Sequence, residues 1–168
     1  VTDWSTYIRD IPDYPKPGIV FKDITPLLAD RTAFARAIEE LADGLDFDKV
    51  AGIEARGFIL AAPVAYRYGA GFVPLRKKGK LPFTTIERSY DLEYGTAAME
   101  VHADAFAPGE RVLIVDDVLA TGGTASAAVE LVRQAGAEVV SVSFLLELSH
   151  LSGRDRLAGV DVRTLVTM

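Results

Sequence analysis

Val112-Leu-Ile-Val-Asp-Asp-Val-Leu-Ala-Thr-Gly-Gly-Thr124 is the stretch on which both the fold and the chemistry turn. Val112 to Val115 form an unbroken apolar run, as in a strand buried on both faces. Two adjacent acids follow, Asp116 and Asp117, delivered to the strand's exposed end. A turn, Ala120-Thr121-Gly122-Gly123-Thr124, then opens into a helix predicted over Thr124 to Gln134 and closed by Gly136. Glycine lets backbone approach a ligand closely, and a helix start offers unpaired amide donors with a partial positive charge. With two threonine hydroxyls added, this composes a socket for a phosphate monoester. The plain alternative is a strand-end turn that merely caps a helix. No lysine follows the glycines as a Walker loop requires, and Gly-x-Gly-x-x-Gly is missing. Carboxylates beside a phosphate make sense for a sugar phosphate: they accept hydrogen bonds from vicinal hydroxyls while the loop holds the phosphate.

The same alternation of elements recurs on either side. Val50 to Ile53, Gly71 to Leu75, Val139 to Leu146 and Val160 to Val166 read as strands. Thr32 is expected to cap a helix in which Phe34, Ala37, Ile38, Leu41 and Leu45 recur at helical spacing. Gly57 to Tyr68 is a second helix, stopped by Gly69, with Pro63 in its first turn or kinking it. Phe83 to Ile86 and Thr96 to Val101 look like a strand pair flanking a polar stretch, and Gly153 to Leu157 like a short helix. A short helix around Trp4 to Arg9 leads into a proline-punctuated segment that is expected to be extended. Non-alternating strands separated by helices predict one α/β domain over residues 1–168, a mostly parallel sheet flanked by helices. Ligands of such folds sit at the carboxyl ends of the strands, so the loops after Ile53, Leu75 and Val115 are where chemistry is expected.

At 168 residues a single domain removes roughly 70% of its unfolded-chain surface from water and needs no covalent staple. Cysteine is absent, which excludes a disulfide framework, a cysteine nucleophile and any thiolate metal site. Eighteen basic against twenty-four acidic residues give a net charge of −6, a poor basis for binding nucleic acid. No apolar run approaches the roughly 18 residues of a membrane span, and the first residues lack the basic start and apolar core of a signal peptide. A cytoplasmic protein with no nucleic-acid or membrane partner is expected. His102 and His150 stand isolated, so no all-protein metal cage is expected.

The Asp-Asp-Val-Leu-Ala-Thr-Gly-Gly-Thr stretch resembles the phosphoribosyl-diphosphate motif of the type I phosphoribosyltransferases, in the form found in the adenine-specific branch. Four further blocks resemble that family in its order: Pro17-Gly-Ile-Val-Phe-Lys-Asp-Ile-Thr-Pro26, Glu54-Ala-Arg-Gly-Phe58, Arg76-Lys-Lys-Gly-Lys-Leu-Pro82 and Ser89-Tyr-Asp-Leu-Glu-Tyr-Gly95. The resemblance implies the type I phosphoribosyltransferase fold, with about residues 1–30 forming a small base-binding hood. It implies adenine and phosphoribosyl diphosphate as substrates, Mg²⁺ held mainly by substrate oxygens and water rather than by the protein, and a homodimer. Asp116 and Asp117 would bind ribose, and Ala120, Thr121, Gly122, Gly123 and Thr124 the 5-phosphate. Arg56, Arg76, Lys77 and Lys80 would clamp pyrophosphate, with Arg76 able to serve a neighbouring subunit, while Lys78 reads as a solvated loop residue.

Val20, Phe21 and Lys22 would meet the base through extended backbone and ring stacking, with Leu148 on the opposite side. Lys22 stands where many relatives carry Arg, which matters little if recognition runs through the main chain. Taken alone, Phe21 would more often be a core residue than a stacker. Ser89 to Gly95 would form a mobile lid in which Glu93 takes a proton from the purine and Tyr94 closes over the site. On chemistry alone the same residues fit a solvated hairpin tip with an incidental acid. Two other readings stay open: transfer to another base such as guanine, xanthine or orotate, and a non-catalytic sensor of phosphoribosyl diphosphate.

Overall fold

The computed structural model describes residues 2–92 and 94–168. After a 3₁₀ turn at Trp4–Tyr7, β1 (Arg9–Pro12) and β2 (Val20–Asp23) form an antiparallel hairpin standing apart as a two-stranded sheet. Two helices follow, α1 (Thr25–Ala29) and α2 (Arg31–Glu40). The body then runs β3 (Lys49–Ile53), α3 (Arg56–Tyr68), β4 (Gly71–Lys77), β5 (Thr85–Asp91), β6 (Thr96–His102), β7 (Arg111–Leu119), α4 (Gly123–Gln134), β8 (Glu138–Glu147) and β9 (Val162–Thr167). The seven strands lie in the order β5-β6-β4-β3-β7-β8-β9. From β4 through β9 neighbours are parallel, while the β5–β6 hairpin closes one edge antiparallel.

Successive residues of β7 point to opposite faces, and both faces are buried. Val112 and Ile114 join Ala125, Ala128, Val129 and Val132 of α4 in one core. Leu113 and Val115 join Leu60, Ala61 and Val64 of α3 and Ala37 and Ile38 of α2 in the other. This two-sided burial explains why the central strands read as continuous apolar runs. No helix among the described residues is long and apolar enough to cross a membrane.

Four local expectations are corrected. Asp30, not Thr32, caps α2: its carboxylate accepts from the Thr32 and Ala33 amides at 3.0 and 2.8 Å. The first helical segment ends at Tyr7 as a 3₁₀ turn, because Arg9 onward pairs with β2. Strand β7 does not stop at Val115; β8 runs alongside and pairs Asp116 with Phe144 and Leu119 with Glu147. Strand β5 carries Ser89, Tyr90 and Asp91, which pair with Ala98, Ala97 and Thr96, so most of the expected lid is regular hairpin.

Candidate active site

The cleft arises from a mismatch of strand lengths. β3 ends at Ile53, where the chain turns into α3, while its neighbours β7 and β4 run on to Leu119 and Lys77. The overhanging part of β7 walls a gap beyond the end of β3, and that of β4 walls a smaller one beside it. Here β3-α3-β4 builds toward one sheet edge and β7-α4-β8 toward the other, the switch point at which open α/β sheets bind ligands.

A cavity of about 500 Å³ fills the larger gap. Of the residues predicted from sequence, Val20, Phe21, Lys22, Arg56, Asp116, Asp117, Ala120, Thr121, Gly122, Thr124 and Leu148 line it. Gly123 does not, being the first residue of α4 behind the loop. Arg76 and Lys77 line a smaller adjoining cavity of about 110 Å³, with Glu54 on the wall common to both. Tyr94 is 85% exposed and lines neither. Glu93 lies outside the described residues.

Asp117 is buried, and its Oδ2 meets Arg56 Nε at 2.8 Å. Among the described residues that buried oxygen has no well-aligned hydrogen bond beside this ion pair. Asp116 is half-buried, and its Oδ1 accepts from the Asp117 amide at 2.9 Å. Burial, and after it the adjacent Asp117 charge, pushes the Asp116 carboxyl well above the ordinary aspartate range. The first turn of α3 reaches this pair only because residue 57 is glycine. A Cβ there would lie 2.8 Å from Asp116 Oδ1 and 3.0 Å from the Val115 carbonyl.

The Ala120–Thr124 loop is held in the same backbone-on-backbone way. Gly122 sits at φ +84°, and a Cβ on it would lie 2.3 Å from the Gly153 carbonyl oxygen. Behind Gly153, Glu147 takes two 2.9 Å bonds from Arg154 Nε, whose guanidinium also donates to the Val162 carbonyl at 3.0 Å. The sequence reading gave Gly153, Glu147 and Arg154 no role.

On the opposite wall the Arg56 guanidinium lies 5.2 Å from the Phe21 ring centroid, and Tyr14 meets that ring edge-on at 5.3 Å. Lys22 Nζ is paired with Asp10 at 2.7 Å across the hairpin. The face of this segment open to the cleft is therefore backbone and ring. Among the described residues β2 has a strand partner on one edge only, which leaves the amide and carbonyl groups of its other edge without a strand to pair with.

The basic loop converges on Glu54, another residue without an assigned role in the sequence reading. Its carboxylate accepts from the Lys77 amide at 2.8 Å, lies 3.5 Å from Arg76 Nε and pairs with Lys80 Nζ. Burial pushes the Glu54 carboxyl up, but the bonds from Lys80 and Lys77 and the Arg76 charge outweigh it and hold it below the ordinary glutamate range. Lys78 turns away to Glu87 at 2.9 Å.

Fold and cleft together define an α/β protein of the type I phosphoribosyltransferase class. The family profile described as phosphoribosyl transferase domain matches residues 23–165. Adenine phosphoribosyltransferase of Thermobifida fusca (strain YX) is 65% identical over 174 residues, covering 99% of each chain. The crystal structure of adenine phosphoribosyltransferase from Rhodothermus marinus DSM 4252 superposes with a TM-score of 0.93 at 53% identity, covering 98% of this chain and 96% of that one. That of the Saccharomyces cerevisiae protein, complexed with adenine and an imino-altritol bisphosphate, gives 0.91 at 36% identity, covering 98% and 97%. The chain belongs to the phosphoribosyltransferase family, in its adenine phosphoribosyltransferase branch.

Proposed function

We propose that the cleft transfers the phosphoribosyl group of 5-phosphoribosyl 1-diphosphate to adenine, forming AMP and pyrophosphate, in the cytoplasm. The observation that carries this is the continuity of one cavity from the β2 edge and Phe21, past Asp116 and Asp117, to the loop at Ala120–Thr124. Its order matches base, ribose and 5-phosphate.

In this reading the loop amides and threonine hydroxyls hold the 5-phosphate, and the two aspartates accept from the ribose hydroxyls. The C1–oxygen bond to pyrophosphate breaks while a bond from a purine ring nitrogen to C1 forms. Arg56, Arg76, Lys77 and Lys80 take the charge that pyrophosphate gains, preorganised before the reaction. The purine loses a ring proton, a role that the family likeness gives to Glu93, with Tyr94 closing over the site. Adenine is selected by the backbone edge of β2, where a 6-oxopurine would leave donors and acceptors mismatched. The cleft suits Mg²⁺: Asp116 and Asp117 are hard oxygen donors beside the sugar, and a cation that keeps much of its water needs few protein ligands. When bound, mainly through pyrophosphate and ribose oxygens, it would neutralise the departing group. A homodimer goes with this reading, supported by the exposed apolar residues Ile59 and Tyr66, two turns apart on α3.

The test is pyrophosphate release from phosphoribosyl diphosphate and Mg²⁺ with adenine, guanine, hypoxanthine, xanthine and orotate in parallel. Release with adenine alone is expected. Turnover of another base would overturn the base-site assignment, and silence with every base would overturn the reaction and favour the sensor reading.

A further inference from the structure

Glu54 carries a charge beside the cleft that the reaction above leaves unused. Its carboxylate is 8% exposed at the end of β3, on the wall between the two cavities. Three donors from the end of β4 and the loop after it meet there: Arg76, the Lys77 amide and Lys80. The arrangement leaves something unmet, since Arg76 Nε is buried and has no well-aligned hydrogen bond among the described residues. Cations gathered without an anion would repel one another, so a single carboxylate settles the loop. One carboxylate is nevertheless a poorer partner for this cluster than an anion with more charge and more oxygens.

We propose that Glu54 is a positioning residue that stands in for pyrophosphate: it gathers Arg76, Lys80 and the Lys77 amide while the subsite is empty and yields them when pyrophosphate arrives. The proposal rests on reading those cations as pyrophosphate ligands. It follows that Glu54 competes with pyrophosphate, so the loop stays shaped between turnovers and pyrophosphate is held loosely enough to leave. A role in loop architecture alone makes the opposite prediction, because weakening the loop's support would weaken pyrophosphate binding.

Glu54→Gln separates the two. The amide oxygen still accepts from Lys77, but the competing charge is gone. Pyrophosphate with Mg²⁺, titrated calorimetrically, should bind about tenfold more tightly, the scale of one unit charge removed from a partly exposed cluster. Product inhibition by pyrophosphate should strengthen equally, and KM for adenine should not move. Unchanged or weaker pyrophosphate binding overturns the proposal. Lys80→Met in the otherwise native chain tests the underlying reading separately. It should weaken pyrophosphate binding, and if it does not, the subsite assignment itself fails.

A measurement on the native protein decides the matter should Glu54→Gln not fold. The Lys77 amide resonance reports the protonation of Glu54. Its titration midpoint should lie below the ordinary glutamate value in the free protein and rise when pyrophosphate saturates the loop. A midpoint indifferent to pyrophosphate overturns the proposal.

Discussion

Replacing Gly153 with alanine tests whether the turn after β8 sets the position of the Ala120–Thr124 loop, proposed above to hold the 5-phosphate. The added Cβ would lie 2.3 Å from the Ala120 carbonyl oxygen and 2.9 Å from Leu119 Cδ1, where ordinary contact begins at 3.4 Å. The two backbones must therefore part by 3.4 − 2.3 = 1.1 Å. Neither side gives easily. The Leu119 carbonyl accepts from the Leu148 amide at 3.0 Å, and Arg154, next to Gly153, is fixed on Glu147 and the Val162 carbonyl. Gly153 does not sit at a positive φ, so the clash acts without any added backbone strain. Overpacking of this kind costs about 1–3 kcal/mol. In a chain of this length that lowers Tm by roughly 2–12 °C. A shift of about 1 Å in groups that position a substrate can cost up to about 10²-fold. Thermal melts and steady-state kinetics with each substrate varied in turn should show kcat/KM for phosphoribosyl diphosphate falling on the order of 10- to 100-fold. KM for adenine should stay within about twofold, because the β1–β2 hairpin is untouched. Native kcat/KM for phosphoribosyl diphosphate together with a native Tm would refute the reasoning that this turn braces the loop.

Phe21→Ala should raise KM for adenine by about tenfold or more, on the scale of base–aromatic stacking, and leave KM for phosphoribosyl diphosphate little changed; equal effects on both would argue against a base platform. Asp116→Asn should abolish most activity yet raise Tm at neutral pH by a few degrees, since the amide oxygen can still accept from the Asp117 amide while a disfavoured charge is removed. The sign follows from the raised folded-state pKa: the folded protein holds this proton more tightly than the unfolded chain, so its stabilisation is lost as pH rises through the folded value. Melting the native and variant proteins across pH checks this, and a difference in Tm that does not grow as pH rises from the acidic range would count against it.

The sheet was legible because its central strands are covered on both faces, so burial writes itself as uninterrupted apolar residues. That signal failed where burial is one-sided or absent. β5 is an edge strand with mostly exposed side chains, and Ser89 to Asp91 look like loop until their pairing with Thr96 to Ala98 is seen. The helix start, expected at Thr32, was misplaced for a different reason. Asp30 and Thr32 are both good capping residues, and the choice depends on α1, which ends at Ala29 and leaves Asp30 between two helices.

The site divided along the same line between local and long-range information. Asp116, Asp117 and the Thr-Gly-Gly-Thr loop lie within one short stretch, so the chemistry they compose can be read directly. Glu54 is 26 residues from Lys80, and its role depends on which basic side chains the β3–β4 pairing carries to it. From sequence, Arg76, Lys77 and Lys80 count as free positive charge awaiting a phosphate; in the fold Arg76 and Lys80 already share a carboxylate, which also holds the Lys77 amide. A run of like charges in an active-site loop specifies what the loop can bind, but its affinity is set by the opposite charge that the fold places beneath it. For this protein that charge is Glu54, and the strength of pyrophosphate binding should depend on it as much as on the basic residues themselves.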